Sequence, residues 1–358
     1  MGYFPTGVTC VWSSGMLMLA GLLGLAAVSG VVLMTGGGED DADEELLPAE
    51  DQQLEVETTE TLGMISGGGA QQPLLMSDAI IPSDGLVLSG GSEGDVLTGQ
   101  EGNDQINGYD LNDSIAGDDG NDTLHGAGGD DDIRGDDGFD LLHGEDGDDS
   151  LDGGAGNDNL FGHFGEDELQ GGAGDDTLYG GQDNDQLDGG ADNDALHGGY
   201  GDDTLSGDAG QDTVFGGFGN DLILGIEGGP GNPISPVAQE VDYLNGGQGD
   251  DTIWAGAGDI VTGGDGADNI VAGDWANDGD AIEVMDFDPD EDRLMVVWDG
   301  PEGQSPQIEI SKDPENPDIS RVTVDGHDVA LLRGGEPDDV NDIVLVRPGD
   351  LPLTGTAA

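Results

Sequence analysis

Between Leu97 and Ile223 an aliphatic residue recurs every nine positions without a slip. The series is Leu97, Ile106, Ile115, Leu124, Ile133, Leu142, Leu151, Leu160, Leu169, Leu178, Leu187, Leu196, Leu205, Val214 and Ile223. An Asp stands two residues before each and a Gly seven residues before each, so fifteen consecutive units meet three conditions at once. With 70 Gly in 358 residues, fifteen glycines falling in phase by random placement has odds of about one in 10¹¹. One nine-residue unit cannot bury its aliphatic, so stability has to come from coiling and stacking the units.

Each unit reads G-x-x-x-x-D-x-U-x, where U is the aliphatic. Its first six residues carry turn chemistry, with glycines free to take backbone angles that other residues avoid. The last three suit a short strand with one inward side chain. The ninth position sets the coil: alternate units place Asn107, His125, His143, Phe161, Tyr179, His197 and Phe215 there, a planar or bulky residue every eighteen. Two units per coil follow, with the strands divided between two parallel sheets. At about 4.8 Å between strands, the stack from Leu97 to Ile223 is roughly 36 Å long.

Charge then decides what such a stack needs. The chain has 79 Asp and Glu against 6 Lys and Arg, for a formal net charge of −73. Phosphate binding requires cationic patches, so nucleic acid is excluded as a partner. Stacked coils bring the Asp of one unit about one strand spacing from the Asp two units on. Two carboxylates about 5 Å apart repel by roughly 3 kcal/mol at an effective dielectric near 20. A dication between them reverses the sign. Carboxylates with the backbone carbonyls of a Gly-rich turn form an all-oxygen set, which suits the hard, flexibly coordinated Ca²⁺. Folding and binding then become one transition.

Units such as Gly153-Gly154-Ala155-Gly156-Asn157-Asp158-Asn159-Leu160-Phe161 and Gly171-Gly172-Ala173-Gly174-Asp175-Asp176-Thr177-Leu178-Tyr179 resemble the G-G-x-G-x-D-x-U-x repeat of the RTX, or haemolysin-type, calcium-binding family. The resemblance extends over residues 90–282. It implies a right-handed parallel β-roll holding several Ca²⁺ ions between successive turns, and a chain that folds outside the cell. It also implies that the sixth-position Asp side chains and the turn carbonyls are the ligands. The candidate metal ligands are Asp95, Asp104, Asp113, Asp122, Asp131, Asp140, Asp149, Asp158, Asp167, Asp176, Asp185, Asp194, Asp203, Asp212, Asp221, Asp242, Asp251, Asp259 and Asp268. The pattern is imperfect. The fourth place holds Glu93, Leu111, Asp183 and Asp192 in four units, and the second place is Gly in only seven of fifteen, with Tyr109, Asp118, Glu145 and His163 among the substitutes. Those turns are expected to be distorted or to bind more weakly. Asp95 and Asp104, at the open end, are expected to hold incomplete sites.

A Pro-rich stretch, Gly228–Pro236, breaks the period, and a looser set follows at Asp242/Leu244, Asp251/Ile253, Asp259/Val261, Asp268/Ile270 and Asp280/Ile282. The roll is therefore assigned to residues 86–282 with a loop insertion at 226–241. Beyond it, Arg293–Trp298, Gln307–Ile310, Arg321–Val324, Val329–Leu332 and Ile343–Val346 are short apolar runs between Pro/Gly/Asp turns, which predicts a C-terminal antiparallel β cap over 283–358. Asp286-Phe287-Asp288-Pro289-Asp290-Glu291-Asp292-Arg293-Leu294 is similar to the segment that often follows RTX repeats. At the other end, residues 1–38 contain no charged side chain, and Met16–Met34 is a 19-residue apolar run, long enough for a transmembrane helix. It is read as a membrane anchor in preference to a cleaved signal segment, because no basic residue precedes it. Residues 39–85 read as an acidic disordered linker. The complete expectation is an all-β right-handed parallel β-roll with that cap and an N-terminal transmembrane helix.

No His-Glu-x-x-His helix, Gly-x-Ser-x-Gly elbow or P-loop is present, and no enzyme activity is expected. The ninth-position histidines read as stacking partners on adjacent strands rather than transition-metal ligands. Phe161, Phe164, Tyr179, His197, Tyr200, Phe215 and Phe218 form an aromatic edge. Cross-strand stacking is its first reading, and a recognition face for a glycan or protein partner its second. Two roles fit the whole chain. One is a surface-tethered or exported structural or adhesive module, extracellular and calcium-folded. The other is the calcium-folded secretion module of an exported toxin or hydrolase.

Overall fold

The computed structural model describes residues 64–66, 85–226, 241–272, 281–298, 305–335, 337 and 343–347. Within them the chain is an all-β parallel solenoid of about ten turns with no helix. The apolar segment at residues 1–38 and most of the 39–85 stretch lie outside the described residues. Met64–Ser66 is a strand that pairs in parallel with Val87–Ser89, so one piece of the expected linker joins a sheet. Among the described residues no helix is long and apolar enough to cross a membrane.

Two sheets face each other, one of fifteen strands and one of twelve. Units alternate between them: Asn159–Phe164 pairs with Leu141–Asp146 and Thr177–Gln182 in one sheet, while Glu168–Ala173 pairs with Ser150–Ala155 and Gln186–Ala191 in the other. Partners are eighteen residues apart, as in Leu160 opposite Leu178 and Leu169 opposite Leu187. The eighteen-residue alternation at the ninth position is thus the coil length.

The strands are longer than the expected three residues. Asn159–Phe164 has six, running through the seventh to ninth places of one unit and the first three of the next. Only three residues, such as Gly165-Glu166-Asp167, remain for each turn. The interior is correspondingly thin. Fourteen of the fifteen phased aliphatics, Ile106 to Ile223, are no more than 2% exposed, and Leu97 packs against their end. Alongside them the first-place glycines and the sixth-place aspartates also face inward.

Coils lie so close that several glycines have no room for a side chain. Gly156 has φ +143°, and a Cβ there would fall 1.3 Å from the carbonyl oxygen of Gly138 on the preceding coil. Gly326 also has a positive φ, +86°, but nothing lies within 4 Å of the same position. Denaturant unfolding in calcium should therefore separate two variants. Gly326→Ala should cost about 1–2 kcal/mol, the left-handed penalty alone. Gly156→Ala should cost at least about 3 kcal/mol, because the coils must also part.

Of the substituted turns, only those at Glu93 and Gln100, which do not have positive φ, depart from the repeat's backbone. Tyr109, Asp118, Glu145 and His163 at second places, and Leu111, Asp183 and Asp192 at fourth places, all keep the left-handed conformation, with φ between 68° and 83°. Stacking on both neighbours holds the backbone there against a steric cost of about 1–2 kcal/mol per residue.

The period breaks are absorbed without loss of register. Segment 227–240 lies outside the described residues, yet Val214 pairs with Leu244 and Ile223 with Ile253, so the intervening coil is thirty residues instead of eighteen. The next step is seventeen, Leu244 opposite Val261 and Ile253 opposite Ile270. At the following coil Val284, not Ile282, lies opposite Val261.

The C-terminal strands differ from the expected antiparallel arrangement. Ile282–Phe287 and Arg293–Val297 extend the two sheets in parallel, and His327–Gly334 and Val344–Val346 add in parallel after them. Among the described residues, only Ile308–Lys312, Ser320–Val324 and His327–Gly334 make antiparallel pairs, at one end of the fifteen-stranded sheet. The reason is visible in Asp292-Arg293-Leu294: the D-x-U element persists there, so Leu294 enters the core column opposite Ile270. The hairpin arises only where the chain leaves that pattern.

Candidate metal centre

All nineteen candidate aspartates fall on two ladders, one along each edge where the sheets meet. In the first, the backbone N–H of Leu86 donates to Oδ1 of Asp104, and each Asp N–H then donates to Oδ1 of the Asp one coil later through Asp122, Asp140, Asp158, Asp176, Asp194, Asp212, Asp242 and Asp259. The second runs the same way through Asp95, Asp113, Asp131, Asp149, Asp167, Asp185, Asp203, Asp221, Asp251 and Asp268. Steps between aspartates in the regular part are 2.7–2.9 Å, as for Asp140 to Asp158 at 2.7 Å and Asp203 to Asp221 at 2.9 Å. Each Oδ1 thus ties one coil to its neighbour.

The second ladder continues one step beyond the candidates. The N–H of Asp268 donates to Oδ1 of Asp292 at 3.1 Å, and Asp286 accepts from Gly263 and Gly264 nearby. Sequence spacing missed Asp292 because 24 residues separate it from Asp268, although Asp292-Arg293-Leu294 carries the repeat's own D-x-U signal.

The other carboxylate oxygen behaves differently. Asp113, Asp122, Asp131, Asp140, Asp149, Asp158, Asp167, Asp176, Asp185, Asp194, Asp203, Asp221, Asp251 and Asp268 each leave Oδ2 buried with no hydrogen-bond partner. Native proteins hold only a few unsatisfied buried polar atoms per hundred residues. Fourteen chemically identical ones in register are a site feature, not a packing fault.

Among the other five candidates, three have Oδ2 satisfied by a local backbone N–H. Oδ2 of Asp95 accepts from the N–H of Gly91 at 2.7 Å, that of Asp104 from Gln100 at 2.8 Å, and that of Asp259 from Gly256 at 2.6 Å. The cause is backbone conformation. In every unit with an orphaned Oδ2 the second-place residue is left-handed, from Tyr109 to Gly217 and again at Gly247 and Gly264. Gly91, Gln100 and Gly256 do not have positive φ, and their N–H groups close onto the local carboxylate instead.

The surroundings of each orphan are oxygen-rich. A Cβ on Gly153 would stand 2.7 Å from Asp158 Oδ2 and 2.6 Å from the carbonyl oxygen of Gly171, one coil on. Gly162 repeats the arrangement with Asp167 Oδ2 at 2.2 Å and Gly180 O at 2.7 Å. The invariant first-place glycine therefore keeps clear a position bordered by a carboxylate and a carbonyl. Burial, reinforced by neighbouring carboxylates, pushes these Asp side chains far above their ordinary 3.8: Asp140, Asp149, Asp167, Asp176, Asp221 and Asp268 to about 7, Asp185 and Asp194 to about 8. Hydrogen bonds from the preceding coil pull in the opposite direction and do not compensate. Such oxygens need a proton or a cation, and the all-oxygen donor set fits Ca²⁺.

On the outer face of the fifteen-stranded sheet, the ninth-position rings stack as expected. Phe161 lies on Tyr179 at 5.0 Å and Tyr179 on His197 at 4.9 Å, each pair nearly parallel, whereas Phe215 is tilted by 57° to His197; at third places Tyr200 stacks on Phe218 at 4.7 Å.

A family profile described as RTX calcium-binding nonapeptide repeat (4 copies) matches residues 87–115, 107–142, 125–160, 134–169, 161–196, 188–223 and 240–270. No curated protein matches the chain. The matched segments contain all nineteen candidate aspartates, and the repeats imply calcium binding by the roll. Through residues 87–270, the chain belongs to the RTX, or haemolysin-type, calcium-binding nonapeptide-repeat family.

Proposed function

We propose that the two aspartate ladders are the calcium sites, and that the roll orders only on loading, outside the cytoplasm, as a surface-tethered or exported structural or adhesive module. The observation carrying this reading is the set of fourteen buried, unsatisfied Oδ2 atoms. In the metal-free chain they repel one another in a desolvated interior that a thin aliphatic column cannot offset. The ligands are the Oδ2 atoms of Asp113 to Asp203, Asp221, Asp251 and Asp268 together with turn carbonyls. Asp95, Asp104 and Asp259, already satisfied by backbone N–H groups, serve as ends of the ladders. Ca²⁺ supplies charge neutralisation between coils when bound, and the ladder bonds from Oδ1 supply register.

The scarcity of free calcium in a cytoplasm would keep the chain unfolded there, which suits export. The test is circular dichroism of the full chain during calcium titration from chelator. A cooperative rise in β-signal is expected at about 10⁻⁴ to 10⁻³ M Ca²⁺, the range of extracellular calcium modules. Mg²⁺, which demands tight octahedral geometry, should not substitute. Equal order in chelator and in calcium would overturn the reading.

A further inference from the structure

We infer that a second kind of metal site, for a borderline transition-metal dication such as Zn²⁺, lies on the outer face of the fifteen-stranded sheet at His125, His143 and Glu145, with His163 orienting His143. Stacking explains part of what is seen there: His125 lies flat on His143 at 4.6 Å, and His143 on Phe161 at 4.9 Å. His163 also lies against His143 at 5.2 Å and Phe161 at 5.9 Å, but ring stacking explains neither its nitrogen contact to His143 nor Glu145. Glu145 and His163 occupy second places opposite one another, with Ala127 and Gly181 on their outer flanks. Each is left-handed at φ 83°, as second-place residues of this sheet are from Tyr109 to Gly264.

Strand alternation brings the four together. His143 and Glu145 are two residues apart on one strand and point to the same face, as do Phe161 and His163 on the next. The ligand atoms of His125, His143 and Glu145 all lie within 4.8 Å of one another. His125 Nδ1 is 3.8 Å from Glu145 Oε1, and His143 Nδ1 is 2.9 Å from His163 Nε2. Ligands of a tetrahedral zinc are about 3.3 Å apart, and the in-plane lone pairs of two parallel rings do not converge, so closing the set requires the His125 ring to turn out of its stack on His143. A ring whose Nδ1 is held by a second group has its tautomer fixed and presents Nε2 to a metal. The donor chemistry separates this site from the ladders: imidazole nitrogen selects Zn²⁺, Ni²⁺, Co²⁺ or Cu²⁺ over Ca²⁺. All four groups are partly exposed on the outer face, so an ion can enter without opening the roll.

The test loads the full chain with saturating CaCl₂, which occupies the carboxylate sites, and then titrates ZnCl₂ by calorimetry. One tight zinc per chain is expected. His143→Phe keeps a ring in the stack, as Phe161 already does, and removes the nitrogens. It should weaken that zinc at least about tenfold, and Glu145→Gln should do the same, with the calcium-dependent β-signal unchanged. Zinc binding that both variants retain, or none in the parent, overturns the site. Should either variant fail to fold, X-ray absorption of the zinc-loaded parent decides: imidazole scattering upholds the assignment, and an all-oxygen shell refutes it. Neither result depends on where calcium binds.

Discussion

Changing Asp158, Asp176 and Asp194 together to Ala, or together to Asn, should produce opposite effects in chelator and a shared loss of calcium. These three follow one another on one ladder, and each carboxylate has two tasks. Oδ1 accepts the N–H of the Asp on the preceding coil, at 2.7 Å for Asp158 and Asp176 and 2.8 Å for Asp194. Oδ2 is buried without a partner. Alanine removes both atoms and strands the N–H groups of Asp140, Asp158 and Asp176, at about 1–3 kcal/mol each. Asparagine keeps an acceptor for the ladder and removes the charge. The Ala triple should therefore raise the calcium midpoint at least about tenfold and weaken the loaded roll as well. The Asn triple should bind fewer ions, yet be more ordered than the parent in chelator, since three buried charges are gone. Circular dichroism in chelator and a direct calcium count distinguish these outcomes. An Asn triple that binds as many ions as the parent would sink the ligand assignment.

Acid should do in the metal-free chain what calcium does at neutral pH. The unfolded-state value for these carboxyl groups is near 3.8, whereas the folded roll holds them at about 6 for Asp122, Asp131, Asp203 and Asp251, and about 7 to 8 for many others. Between those limits the folded state binds more protons than the unfolded one, so stability falls as pH rises. The stabilisation is complete below about pH 4 and is lost between about 6 and 8. His143, which burial lowers to about 4, and His197, lowered by the same cause, work in the opposite direction, but they are two groups against more than a dozen. In chelator, β-signal should accordingly grow as pH drops from 8 towards 4. In calcium, binding should release protons and tighten as pH rises across the same window. A chelated chain equally disordered at both ends of that range would contradict the desolvation argument. So would a calcium affinity flat between pH 5.5 and 8.

Much of this molecule was legible before any coordinates. Nine-residue phasing named the buried column from Ile106 to Ile223, because a period of nine with two units per coil repeats the same environment every eighteen residues. The alternation of His125, His143, Phe161 and Tyr179 against smaller residues identified that coil length, and the constant Asp two places before each aliphatic identified both ladders. Local repetition is sufficient for such conclusions, since each unit meets only copies of itself.

What the coils do to one another was not legible. The division of labour between Oδ1 and Oδ2 depends on which backbone N–H the stacked coil presents. The closure of Asp95, Asp104 and Asp259 depends on whether the second-place residue is left-handed, and neighbouring coils impose that conformation even on Glu145 and His163. Asp292 entered the ladder, and parallel pairing passed residue 282, because register is set by core packing across a gap of 24 residues that no spacing rule spans. His163 joined His143 only through strand neighbours twenty residues apart. Periodicity specifies which side chains share an environment; three-dimensional stacking decides which lone pairs in that environment are left for an ion.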